Sequence, residues 1–439
     1  MDVAVGIDLG STTTKAVMLD SGGAVLGRGI TNSRSNYHLA ADLARDEAFV
    51  GARFALLERE IQGADPSGSV DASAMSKRLL SRFRKRQHGS QLARLREVAL
   101  EEVSAERVKG IEGELRNRIA GIFNEMEEAA RKRLLSPSGS DFFRDLASSE
   151  FSRIAEKYGD RDIPFDVLMS IFDKAILKVE NTRLDLSFAA NIRGALEDAS
   201  VNLEPRAQAA CSAAVENVIG TTLNVLETIG TGYGRQRLPF PRESIRSEIL
   251  CHGLGAHQMF PGTATVLDIG GQDTKAIQVD NRGIVTSFQM NDRCAAGCGR
   301  YLGYIADEMS MGVHELGPLA MQSTRHVKIS STCTVFAGAE LRDRLAMGQK
   351  REDILAGLHR AIILRAMALL ARSGGVDNEF TFTGGVANNE AAVRALKELI
   401  KENYGDRIIN ISSNSIYTGA LGAAMFALRS ASGQAEANA

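Results

Sequence analysis

The chain has 439 residues, 44% of them hydrophobic and 24% charged, with a formal net charge of −2. That length gives room for two or three cores of roughly 100–200 residues each, and the balanced charge leaves no basic field to draw nucleic acid or an anionic membrane surface. The N-terminus, MDVAVGIDLG, enters an apolar strand without a cationic leader, and no run of about 18 apolar residues stands out, so the expectation is a cytoplasmic protein with neither membrane nor nucleic acid as a partner.

Residues 1–32 alternate short β runs (VAVGID, KAVMLD, AVLGRGI) with turns such as Ser21-Gly22-Gly23, which predicts an antiparallel meander. From about 38 to 205 the chain is charged and strand-poor, with helical periodicity in QLARLREVALEEVSAERVKGIEGELRNRI and GIFNEMEEAARKRLL and breaks at 63–68 and 136–139. A helical insertion over 50–205, serving as a partner-docking surface, is expected. Its basic stretch from Lys77 to Arg86 reads as a solvated helix face before it reads as a contact for CoA phosphates or a ferredoxin.

The α/β character returns near 215. TATVLDIGGQDTKAIQVDNRGIVTSFQM reads as strand, Gly-rich turn, strand, Asn-Arg-Gly turn, strand. Helical patterns follow at 299–310, 334–346, 352–373, 386–402 and 416–429, with the short strand EFTFTGG between the third and fourth, and a small polar tail at 431–439 that is expected to be disordered. The resulting division is a first lobe from 1–45 and 206–260, a second from 261–430, and the insertion between the two pieces of the first.

One internal repeat matters most. Residues 8–15 read DLGSTTTK and residues 268–275 read DIGGQDTK. Both fit D-x-G-x-x-x-T-K, each after a hydrophobic strand and before another, so two related halves are implied. Gly10, Gly270 and Gly271 let the backbone approach an anion and turn N–H groups toward it. The hydroxyls of Ser11, Thr12, Thr13, Thr14 and Thr274 add donors, with Lys15 and Lys275 closing the loops. Asp8 and Asp268 can hold Mg²⁺ through water. Gln272 or Asp273 can orient an attacking water, with Asp8 as a further catalytic candidate. Plain hairpin turns with polar decoration are the alternative, which the repetition disfavours. A third motif, Thr383-Gly384-Gly385-Val386-Ala387-Asn388, joins a strand to a helix and suits a nucleotide base and ribose.

These three motifs resemble those of the actin, hexokinase and Hsp70 class of ATPases. The resemblance implies an α/β fold of duplicated ribonuclease-H-like lobes with ATP and Mg²⁺ between them, here carrying a large helical insertion.

The five cysteines, at 211, 251, 294, 298 and 333, are an odd number that argues against a closed disulfide framework. Cys294 and Cys333 each precede a helical pattern, where a thiolate is favoured by the helix dipole and free N–H groups. Cys298, one helical turn after Cys294, leaves a local pair open as another reading. Cys211 reads as packing, and Cys251-His252 as structural.

The runs MNDRCAAGCGRYLGYIA and ISSTCTVFAGAE, with TGYGR at 231–235 and VLDIGGQDTKAI, resemble the ATPase component shared by 2-hydroxyacyl-CoA dehydratase activators and benzoyl-CoA reductases. That resemblance implies one 4Fe–4S cluster between two subunits, with Cys294 and Cys333 giving this chain's ligands. The insertion brings the chain to the length of the reductase's ATP-binding A-type subunit, which becomes the favoured reading. The partners then expected are a shorter homologous ATPase subunit sharing the cluster, two substrate-binding subunits that reduce the aromatic ring of benzoyl-CoA, and a ferredoxin as donor. A dehydratase activator is the first alternative, followed by a cluster-free small-molecule kinase of the same fold; a nucleotide-dependent chaperone has no peptide-binding region to support it.

Overall fold

The first hairpin is built from β1 (Asp2–Leu9) and β2 (Thr13–Asp20), antiparallel, with Asp8 opposite Lys15. From Val3 to Leu9 every residue of β1 is buried, as its near-continuous apolar run requires of a strand covered on both faces. In this computed structural model the described residues are 1–34, 36–64, 71–105, 110–132, 142–201, 203–232, 238–291, 297–325, 327–329, 334–377 and 379–433. Cys294, Cys333, residues 233–235 of the TGYGR motif and 434–439 of the tail lie outside them.

One unit, Leu26–Leu223 with Met1, holds most of β3 (Val25–Asn32) and seven helices. These are α1 (Tyr37–Ala64), α2 (Ala72–Ala105), α3 (Glu112–Lys132), α4 (Phe143–Tyr158), α5 (Phe165–Glu180), α6 (Phe188–Ala199) and α7 (Pro205–Gly220). Two cores hold them. In one, the Phe54 ring packs edge-on against Phe83 and Phe188, each with centroids 5.3 Å away. In the other, Phe151 stacks on Phe172 at 4.4 Å. The strand β3 lies tight on α1: a Cβ at Gly27 would come within 2.1 Å of Ala48 O, so only glycine fits.

The second unit, Asp2–Val25 with Asn224–Ala439, carries both D-x-G-x-x-x-T-K motifs. After β4 (Asn224–Gly232) come α8 (Glu248–Met259), β5 (Thr265–Ile269), β6 (Thr274–Val279) and β7 (Val285–Asn291). Next are α9 (Gly299–Glu308), α10 (Val313–Met321), α11 (Thr334–Ala346), α12 (Arg351–Ser373) and β8 (Phe380–Thr383). The chain closes with α13 (Glu390–Tyr404), β9 (Ile409–Ile411) and α14 (Thr418–Ala431).

The two halves repeat one plan. Strand β1 pairs antiparallel with β2 and parallel with β4; β5 pairs antiparallel with β6 and parallel with β8. The second sheet runs β7-β6-β5-β8-β9. The fold is thus the mixed α/β arrangement of duplicated halves that the sequence predicts.

Three details depart from the sequence reading. Helices α8 and α10 were not anticipated. The helix expected at 386–402 starts at Glu390, because Asn389 caps it by accepting from the N–H groups of Ala391 and Ala392. Helix α12 is long and apolar enough to cross a bilayer, contrary to the expectation that no such stretch exists, yet 61% of its most apolar window is buried in the core.

Helices α8 and α14 meet along glycines. A Cβ at Gly422 would fall 1.8 Å from Cys251 O, and one at Gly255 would fall 2.0 Å from Thr418 O. Strand β1 joins this contact through Gly6, where a Cβ would reach Ala420 O at 2.1 Å. Small residues here let three backbones touch, and so bring the ends of β1, β5 and α8 together.

Candidate functional site

The loop between β1 and β2 presents Ser11 and Thr12 at the surface of a cavity, and Thr13 opens β2. Thr14 is fully buried beneath it. Gly10 is required sterically, since a Cβ there would meet Lys15 Nζ and Thr13 O at 2.7 Å. Lys15 Nζ donates to Asp8 Oδ2 at 3.2 Å. The other oxygen, Asp8 Oδ1, is buried and has no partner. A buried carboxylate oxygen left unpaired is costly, so Asp8 is poised to receive something the protein does not itself supply.

The second loop is built to the same plan and filled differently. Lys275, 1% exposed in its side chain, is held by Glu248 at 2.8 Å, Asp273 at 2.8 Å and Asp268 at 3.4 Å. Burial works against its charge, but the three carboxylates overcome that and raise its pKa well above the ordinary lysine value. Asp268 Oδ1 accepts from Thr383 at 2.8 Å and lies 3.2 Å from His252 Nδ1. Burial likewise works to raise the Asp268 pKa, and is outweighed by His252, Lys275 and the Thr383 hydroxyl, which together hold it well below the usual carboxylate range. Of the two residues expected to orient water, Gln272 lines the cavity and Asp273 is committed to Lys275.

The loops converge within the cavity, whose volume is about 970 Å³: a Cβ at Gly271 would touch Thr12 Oγ1 at 2.2 Å. The third motif closes the same space. Gly384 has φ of 86° and abuts Ile269, where a Cβ would meet the carbonyl at 2.3 Å, and Gly385 and Val386 line the wall. The cavity is large enough for a drug-sized ligand. Among the described residues no cluster of three His, Cys, Asp or Glu side chains forms a metal site.

The second loop also reaches the cysteine segment. The N–H groups of Gly299 and Arg300 donate to Gly270 O and Gly271 O, each at 2.8 Å. Thr274 Oγ1 donates to Gly297 O, and Thr274 pairs in register with Asn291. Both flanks of residues 292–296, which include Cys294, are thus tied to this loop. The described thiols, Cys211, Cys251 and Cys298, are all buried and form no disulfide. Burial pushes the Cys251 thiol up to about 12, which suits packing and not ligation. Cys298 sits at the N-cap of α9.

Sequence reasoning missed Glu248, and it named His252 and Thr383 without their contacts to Asp268. His252 in particular was read as structural and instead faces Asp268; its four-residue spacing from Glu248 was the available signal.

The sequence profile of the BadF/BadG/BcrA/BcrD ATPase family matches residues 5–427. The chain belongs to that family. It is 44% identical over 204 residues to the (R)-2-hydroxyglutaryl-CoA dehydratase activating ATPase of Acidaminococcus fermentans, covering 46% of this chain and 76% of that protein. The 2-hydroxyisocaproyl-CoA dehydratase activator of Clostridioides difficile is 41% identical over 204 residues, with 46% and 74% covered. A benzoyl-CoA reductase polypeptide of Thauera aromatica is 33% identical over 175 residues, with 40% and 62% covered. The crystal structure of the Acidaminococcus fermentans dehydratase component A overlays with a TM-score of 0.52 at 24% identity, spanning 98% of this chain and 100% of that one, which establishes the fold. The relatives thus favour the activators over the reductase that the chain's length suggested.

Proposed function

We infer that this chain is an activator-type ATPase that couples ATP hydrolysis to low-potential electron delivery into a partner acting on an acyl-CoA. The observation that carries this is the set of hydrogen bonds joining Gly270 and Gly271 to Gly299 and Arg300, and Thr274 to Gly297, on the C-terminal side of the segment holding Cys294. The stronger similarity to dehydratase activators supports a 2-hydroxyacyl-CoA dehydratase as that partner.

In this reading the two loops cradle the phosphates, Gln272 orients the attacking water, and Gly384, Gly385 and Val386 pack the adenosine. Asp8 Oδ1 would take a hydrated Mg²⁺, which fits its vacant acceptor. Thiolates of Cys294 and Cys333, the two cysteines other than the three buried ones, would hold a 4Fe–4S cluster with two more ligands from a second subunit. Such a cluster supplies one-electron chemistry at a potential tuned by its surroundings. A loop that shifts on phosphate cleavage carries Gly299, Arg300 and Gly297 with it, so the start of α9 answers to the nucleotide. Cys333 precedes α11, on which Phe336 and Met347 just beyond its end stand 68% and 69% exposed, an apolar surface suited to a second subunit.

The reductase is the second reading, carried by the weaker similarity of 33% identity over 40% of this chain. Anaerobic purification tests both. The proposal expects a brown protein with about four irons per pair of chains, and Cys294→Ala and Cys333→Ala variants that lose iron and keep ATPase activity. Colourless, iron-free protein with all native partners present overturns it and leaves a kinase-like nucleotide enzyme. A free homodimer supports the activator; a stable complex with substrate-binding subunits supports the reductase.

A further inference from the structure

The helical unit contains a second, smaller cavity of about 160 Å³, walled by β3 and its exit, α1, α2, α4 and α5. Its charged lining is uneven. Arg34, Arg84 and Arg144 face Glu47 and Glu180. Glu180 is taken by Arg144 at 3.0 Å and stands 3.8 Å from Arg34; Glu47 is taken by Arg84 at 2.6 Å. Three guanidinium groups of the lining meet two carboxylates there, and Asp145, hydrogen-bonded to Asn32, adds a third beside Arg144.

The unpaired donors sit mainly on Arg34. Its Nε and Nη1 are buried without a hydrogen-bond partner, as is Nε of Arg84. Burial pulls the Arg34 pKa down, against Glu180 and with the help of Arg144, but a guanidinium stays protonated in any protein setting. Water can satisfy an N–H group; it cannot neutralise a buried charge. A cavity that gathers unpaired, charged donors is matched by a ligand carrying oxygen acceptors and negative charge.

We propose that this cavity binds a small oxyanion-bearing ligand, a phosphate or carboxylate group received by Arg34 and Arg84 in the helical unit. The proposal is independent of the nucleotide site, which lies in the other unit. It gives a role to one member of the basic stretch noted in the sequence. The other members go elsewhere: Arg86 pairs with Asp198 at 3.0 Å, and Phe83 and Leu79 are core.

Equilibrium dialysis of the full chain against radiolabelled inorganic phosphate, and separately against succinate, tests this at constant ionic strength. The expected result is one equivalent of one anion per chain, weakened about tenfold or more by Arg34→Met and partly restored by Arg34→Lys, with ATPase activity unchanged. Which anion binds separates the phosphate source from the carboxylate source. Should Arg34→Met fail to fold, Arg84→Gln carries the same expectation. Wild-type protein that binds neither anion, or binding that both substitutions leave intact, overturns the proposal.

Discussion

Hairpin one and hairpin two share a pattern, a strand pairing and a place beside the same cavity, but their lysines live in different surroundings. Lys15 has one carboxylate at 3.2 Å and keeps 12% of its side chain exposed. Lys275 has three and keeps 1%. The parallel strands deepen the contrast. Thr231 stands opposite Asp8 in register as Thr383 stands opposite Asp268. Thr383 donates to Asp268, whereas Thr231 donates to Arg246 O and leaves Asp8 Oδ1 open. Of the two copies, one is a saturated strut and the other leaves an acceptor open.

The sharpest way to break this comparison is to remove each lysine. Lys275→Met strands Asp268, Asp273 and Glu248 and should cost about 3–5 kcal/mol, while Lys15→Met, which strands Asp8 alone, should cost about 1–3 kcal/mol; urea unfolding of the two variants measures both, and equal losses would erase the distinction. Exchanging the aspartates sharpens it functionally. Asp8→Asn should cut ATP turnover by roughly two orders of magnitude with little change in melting temperature, whereas Asp268→Asn should lower the melting temperature clearly. Steady-state kinetics beside calorimetry reads the pair. The smallest effect concerns the threonine: Thr383→Val should cost about 1–2 kcal/mol by leaving Asp268 Oδ1 one hydrogen bond short, and Thr231→Val should leave Asp8 as it was.

The duplication was legible in the sequence because D-x-G-x-x-x-T-K is a local pattern, and local patterns survive in one dimension. The Gly384–Gly385 turn beside the cavity was legible for the same reason. The inequality between the copies was not. It depends on Glu248 and His252, carried by α8, whose ILCHGLGAHQM sequence holds two glycines that lower helix propensity. That helix forms because Gly255 lets it touch α14 and Gly253 lets it rest on β6 and β7, and such tertiary support has no local signature. The basic stretch from Lys77 to Arg86 was misread in part for a related reason. On one helix, neighbouring residues point to different faces, so Arg84 turns to the small cavity while Arg86 turns to Asp198.

The glycine contact among β1, α8 and α14 has a mechanical side. Where backbone rests on backbone, as at Gly422 and Cys251 O, no side chain stands between to change rotamer and absorb a push. A displacement imposed at the tip of β1 must then pass undiminished to both helices, in the way a shaft without play turns its gear. The three elements form a single rigid piece, and compliance belongs to whatever joins that piece to its surroundings.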